Sequence, residues 1–453
     1  MIRTALVLLV PLMALDLLGC RNYGLFEKHV GDASVADAAV AQDGGPGTDG
    51  SAQGDGGGVP GDGGGCVLPG LSNLQTNPSK SIDYEQQSPI TTTTSPPKSV
   101  VLARFAGLSD PSVLALIPGG PSDAALVRRG HITGTLSGGD TVTLTRGGSL
   151  VTVVVASDGI AHIIVAYDNG ISGVLVEYTW EQDTFSEETY VNLPARPVSL
   201  AVGDVNADGV ADLFVGLAAN SGTANAPAAV RYYVSMTGAR VLDNTAVELS
   251  LGTIGSPGAL SVFPNVAMNR IFLAVLRPGS VFASNGSELR VYMTDAGHTF
   301  QPVTLPAMAA TATQTMTAAD VDLDGQLDLV LGGYGSAAGG TSLIVAFTQL
   351  GTQNPGTASI SVSGNVFGLQ RIDWNQDGAD DLFLWEQPDA NQMRVYPTIL
   401  QNRGGGVFKE LSSGTISRSS AVVPAIVAPA AFACPPRLVF ADTYTNAISV
   451  FSP

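Results

Sequence analysis

An acidic, glycine-bearing loop followed at once by an apolar run occurs three times in this chain. The copies read GDVNADGVADLFVG (203–216), ADVDLDGQLDLVLG (319–332) and IDWNQDGADDLFLW (372–385). In each, oxygen-bearing side chains fall at loop positions 1, 3, 5 and 9. They are Asp204, Asn206, Asp208 and Asp212, then Asp320, Asp322, Asp324 and Asp328, then Asp373, Asn375, Asp377 and Asp381. Glycine holds position 6, where the chain must turn sharply. The position-7 carbonyls of Val210, Gln326 and Ala379 can join the side chains around a hard cation. Three Ca2+ sites are therefore expected, with metal-free Asx-turn hairpins as the alternative.

The context excludes an EF-hand. That motif needs a bidentate Glu at position 12 and flanking helices. Position 12 is Val215, Leu331 or Leu384, and each loop is followed by a short β-type run, LFVG, LVLGG or LFLW. The residues before the loops are also strand-like, as in VSLAV (198–202). Each loop is thus expected to join two strands of a hairpin. Dockerins need a following helix and closely spaced copies. Here Asp204, Asp320 and Asp373 are 116 and 53 residues apart.

These loops resemble the FG-GAP or VCBS-type repeat of integrin α-subunit β-propellers. The resemblance covers about 14 residues in each of three places. It implies an all-β propeller in which the calcium loop connects the first two strands of a blade.

The strand after each loop recurs outside the three intact copies. It begins at Ser112, His162, Asp212, Arg270, Asp328, Asp381 and Arg437, at intervals of 50, 50, 58, 58, 53 and 56 residues. A four-stranded blade needs roughly that length, and seven copies fall within the usual propeller range of about 4–8 blades. The second copy keeps Asp158 and Gly159 but has His162 at position 9. The fourth has no carboxylate, and the first and seventh are also degenerate. The seventh offers three strands, near 423–427, 438–441 and 447–451, before the sequence stops at Pro453. The strand-like segment 87–94, QSPITTTT, is expected to complete that blade and leave no open edge.

The amino end carries Arg3 and an apolar run over 4–18, interrupted by Asp16, then Leu17-Leu18-Gly19-Cys20. The run is too short for a transmembrane helix. It resembles a bacterial lipobox, which implies a signal peptide over 1–19 and a diacylated Cys20 on the cell envelope, with the outer membrane as the expected anchor. Ordinary secretion is the alternative. Residues 31–65 hold six Asp and no Lys or Arg among Gly, Ala, Ser, Gln and Pro. Such a stretch cannot bury enough apolar surface to offset its ordering entropy. A tether over 20–65 is expected, spanning about 35–40 Å r.m.s. from Cys20 to Cys66, with the propeller occupying 66–453.

Charged residues make up only 13% of the chain, which suits a large β protein rich in turns. The net charge of −18 argues against nucleic acid and against electrostatic attachment to anionic lipid, so membrane contact is expected through the lipid anchor alone. Apart from Cys20, the cysteines are Cys66 and Cys434. The closure scheme brings their segments together, so a disulfide is expected in an oxidising compartment, two free thiols being the alternative.

No catalytic signature accompanies the loops. His29, His131, His162 and His298 have no metal-triad or HExxH spacing, and no nucleophile elbow, P-loop or dinucleotide fingerprint stands in context. Trp180, Trp374 and Trp385 are candidates for a glycan platform or for blade core. The expected function is a non-catalytic, calcium-stabilised module for binding or adhesion, with an unidentified protein or glycan ligand. The alternatives are a lectin-like propeller and an envelope polysaccharide-degrading enzyme with its site in the central channel.

Overall fold

The computed structural model describes strand segments between residues 85 and 155, most of 161–412 apart from short intervals, and strand segments between 418 and 452. The expected signal peptide, the tether, Cys20, Cys66, Cys434 and Asn375 lie outside the described residues.

Among the described residues the strands form seven antiparallel sheets, and the one helical element is a single 3-10 turn, Val241–Asp243. Each of the first six sheets is built from four consecutive strands in meander order. Their leading strands are Ser99–Ala103, Leu150–Val155, Pro197–Gly203, Ala259–Asn265, Thr315–Ala319 and Asn365–Ile372. The sixth sheet also takes a short strand, Arg418–Ser419, beside Arg394–Asn402. The seventh runs Val422–Ala428, Arg437–Asp442 and Ala447–Ser452. It is completed from the amino side by Glu85–Gln86 and Ile90–Thr91, both paired with Ala447–Ser452. These are two short strands where one run over 87–94 was expected. Pro89, which has no amide hydrogen to give a ladder, falls in the interval.

The leading strand of each sheet lies against that of the next, and Val422–Ala428 lies against Ser99–Ala103. The series therefore closes on itself, which is a β-propeller arrangement.

Second strands explain the packing. In the first six sheets they are sandwiched between neighbouring sheets, so both faces are buried and the sequence reads as a continuous apolar run. Every residue of Asp212–Leu217 and of Asp328–Gly332 is buried. Side chains alternate across a strand, so one run serves two cores. Leu213, Val215 and Leu217 pack with Ile164 and Leu175 of the second sheet. Phe214 turns the other way, onto Leu260 and Leu273 of the fourth. Likewise Leu329 and Leu331 face Phe272 and Leu276, while Val330 faces Leu382 and Leu384. Stacked sheets joined in this way present the ends of their first hairpins as one series of loops.

Candidate metal centres

Each acidic loop joins the first and second strands of its sheet: the third sheet for 204–212, the fifth for 320–328 and the sixth for 373–381. The three share one hydrogen-bond frame. The position-6 amide donates to the position-1 carboxylate, Gly209 to Asp204 at 2.7 Å, Gly325 to Asp320 at 2.8 Å and Gly378 to Asp373 at 3.1 Å. The position-7 amide donates to the position-5 carboxylate, Val210 to Asp208 at 2.8 Å, Gln326 to Asp324 at 2.8 Å and Ala379 to Asp377 at 2.9 Å. The position-2 amide donates to the position-9 carboxylate, Val205 to Asp212 at 2.6 Å, Val321 to Asp328 at 3.0 Å and Trp374 to Asp381 at 3.0 Å.

Backbone conformation explains the glycines. Gly209, Gly325 and Gly378 have φ of 83°, 81° and 82°. A Cβ on Gly325 or Gly378 would meet nothing within 4 Å. The constraint is therefore the left-handed backbone and not space. Ala207 and Leu323, at position 4, also lie in the left-handed region, with φ of 58° and 62°. Position 12 offers no ligand, because Val215, Leu331 and Leu384 are buried apolar residues of the second strands.

The position-9 carboxylates are the most unusual groups. Asp212, Asp328 and Asp381 are each 0% exposed. Burial pushes each carboxyl up to about 7, against the lowering effect of backbone hydrogen bonds, and the other loop carboxylates add to the rise. Burial also raises Asp204 and Asp322.

The three loops differ at the second oxygen of position 9. Asp212 Oδ1 accepts the Ser235 amide at 2.7 Å, and Asp381 Oδ1 accepts the Asn402 amide at 2.8 Å. Asp328 Oδ1 is buried with no hydrogen-bond partner among the described residues, as is Asp322 Oδ1. Oxygens of Asp320, Asp322 and Asp328 lie within 4.8 Å of one another. A buried carboxylate oxygen left unpaired is costly unless a cation or proton meets it. The donor set is carboxylate, carboxamide and carbonyl oxygen, with neither thiol nor imidazole. That set fits Ca2+ and not a soft or borderline transition metal.

The degenerate second copy shows a different solution. His162 is buried, and its Nδ1 lies 2.5 Å from Glu177 Oε1. Glu177 is fully buried and also accepts the amides of Val241 at 3.1 Å and Leu242 at 2.9 Å. These open the 3-10 turn of the third sheet, so where position 9 carries His162 in place of Asp, a buried Glu fastens the second sheet to the third. The sequence reading missed Glu177, and it also missed Asp380 and Asn402 beside the third loop.

Trp180, Trp374 and Trp385 are 7%, 3% and 3% exposed. They are core residues and form no glycan platform. A groove of about 620 Å³ lies at the outer edge of the fourth and fifth sheets, lined by Met293, Pro302, Leu305, Pro306, Thr352 and Pro355 among others.

No protein-family model and no curated protein matches the sequence. Among solved structures, the chain is similar to the propeller of Dos1 at 10% identity, with a TM-score of 0.46, over 82% of this chain and 95% of that one.

Proposed function

We propose that the chain is a seven-bladed, calcium-stabilised propeller of the FG-GAP or VCBS type that serves as a non-catalytic interaction module on the bacterial envelope. The carrying observation is the fifth-sheet loop. There a fully buried carboxylate oxygen of Asp328 has no hydrogen-bond partner among the described residues, within a cluster of three Asp. The same backbone frame recurs at Asp204 and Asp373. In this reading Ca2+ replaces repulsion among crowded carboxylates with shared coordination, and so fixes the turns at one end of three blades. Asp204, Asn206, Asp208 and Asp212 hold one ion. Asp320, Asp322, Asp324 and Asp328 hold a second, and Asp373, Asn375, Asp377 and Asp381 a third. Carbonyls of Val210, Gln326 and Ala379 complete the shells.

The anchoring reading rests on the lipobox-like sequence ending at Cys20 and the Gly/Asp-rich tether. A rigid propeller on a long tether suits capture of a protein or glycan away from the lipid surface. The test is affinity capture from envelope extract with the full-length protein, in calcium and in chelator, paired with a glycan array. Calcium-dependent, saturable capture of a defined protein or glycan supports the module. Turnover of an envelope polysaccharide by the purified chain would overturn it.

A further inference from the structure

The fifth-sheet loop is fastened to the sheets on both sides. Toward the fourth sheet, Gln326 Oε1 accepts the Ala267 amide at 3.0 Å. Toward the sixth, the fastening converges on Asp320, the position-1 ligand candidate. Its amide donates to Asp380 Oδ2 at 2.8 Å. Its carbonyl accepts Asn402 Nδ2 at 3.0 Å, and that nitrogen also donates to the Asp380 carbonyl at 3.1 Å. Asn402 is 3% exposed. Its Oδ1 accepts the Gly404 amide at 2.9 Å, which sets the orientation of the side-chain amide. The Asn402 backbone amide meanwhile donates to Asp381 Oδ1, the buried position-9 residue of the sixth-sheet loop. Arg371 Nε lies 3.1 Å from Asp380 Oδ1 and fixes that carboxylate in turn. One buried side chain therefore spans two acidic loops of adjacent sheets.

We propose that Asn402 is a positioning residue for the fifth-sheet cation site, and that through it the fifth- and sixth-sheet loops bind Ca2+ cooperatively. The inference rests on the calcium reading above. Neither Asn402 nor Asp380 is a ligand. They hold the Asp320 backbone, and with it the carboxylate, in the ligating arrangement. An ion drawn to Asp381 restrains the Asn402 backbone, and the Asn402 side chain restrains Asp320. The second ion then meets a loop whose ordering cost has already been met, which is positive coupling between sites. Among the described residues the third-sheet loop has no such link to the fifth- or sixth-sheet loop, and it serves as an internal control.

The test is Ca2+ titration of the full-length chain by calorimetry and by equilibrium dialysis. Asp208→Ala first removes the third-sheet site, leaving two. In that background the two ions should bind with a Hill coefficient above one. Adding Asn402→Ala should make binding independent and weaken the fifth-sheet site by about fivefold or more. Asn402→Asp keeps the acceptor for Gly404 but loses both Nδ2 donations, and should behave in the same way. In a chain where Asp324→Ala and Asp377→Ala leave only the third-sheet site, Asn402→Ala should not shift affinity. A structural defect alone would weaken all sites together. Two non-cooperative sites in the Asp208→Ala protein, or cooperativity that survives both Asn402 variants, would overturn the coupling and leave the calcium reading standing. Absence of any bound Ca2+ would overturn both.

Discussion

Asp328 and Val321 are joined by one hydrogen bond, which engages only one of the two carboxylate oxygens. The Val321 amide donates to Asp328 Oδ2 at 3.0 Å, while Asp328 Oδ1 stays buried and unpaired among the described residues. In the third and sixth sheets the matching oxygen of Asp212 or Asp381 accepts a second backbone amide. The fifth-sheet loop is thus the one that leaves its position-9 carboxylate oxygen without a donor among the described residues, and under the calcium reading it depends most on the ion. Asp328→Ala should remove about one equivalent of bound calcium. It should also remove the stabilisation that site supplies, about 2.7 kcal/mol at a free ion concentration 100 times Kd. Metal analysis and melting curves with and without calcium measure the two effects.

Phe214 is fully buried between the third and fourth sheets, stacked on Tyr232 at 5.4 Å and edge-on to Phe300 at 6.1 Å. Phe214→Ala should cost about 3–5 kcal/mol by lost burial and a residual cavity. Denaturant unfolding should show the loss as a lower midpoint. Calcium stoichiometry should be unchanged in the fraction that remains folded.

Glu386 supplies a pH test away from the loops. Burial raises its carboxyl above the ordinary value. The hydrogen bond from Thr398 opposes that rise and the charge of Glu410 adds to it. A raised folded-state value means the native state holds this proton more tightly than the unfolded chain does. The favourable contribution is then complete below the ordinary glutamate range and is lost as pH rises through the raised value. In saturating calcium, Glu386→Gln should therefore reduce the loss of melting temperature as pH rises from below the ordinary glutamate range through the raised value. An unchanged pH slope would contradict this.

The lipobox-like end at Cys20 and the expected pairing of Cys66 with Cys434 are sequence readings that can be tested together. Intact-mass analysis of envelope-purified protein should find lipid on Cys20, and peptide mapping should find Cys66 joined to Cys434. Alkylation of either thiol without prior reduction would count against the disulfide.

Much of the fold was legible because the second strands of the first six sheets are buried on both faces. Runs such as DLFVGL and RIFLAVLR leave no ambiguity of side, and the structure begins second strands at Ser112, Ala161, Asp212, Arg270, Asp328, Asp381 and Arg437. Outer strands were less legible. Gly356–Val362 alternates half-buried and exposed residues and reads GTASISV, which carries little apolar signal. The loop ligands were legible because their spacing is local. The fastenings between sheets were not. Asn402 and Asp320 are 82 residues apart, and Glu177 and Leu242 are 65 apart, so no short pattern ties them. Only the closed series of sheets brings them together.

The most direct test of the account is the calcium content of the folded chain. Protein stripped with chelator and titrated back should take up three ions, and its melting temperature should rise with the logarithm of free calcium. Folded protein that retains no calcium at millimolar free ion, with an unchanged melting temperature, would contradict it.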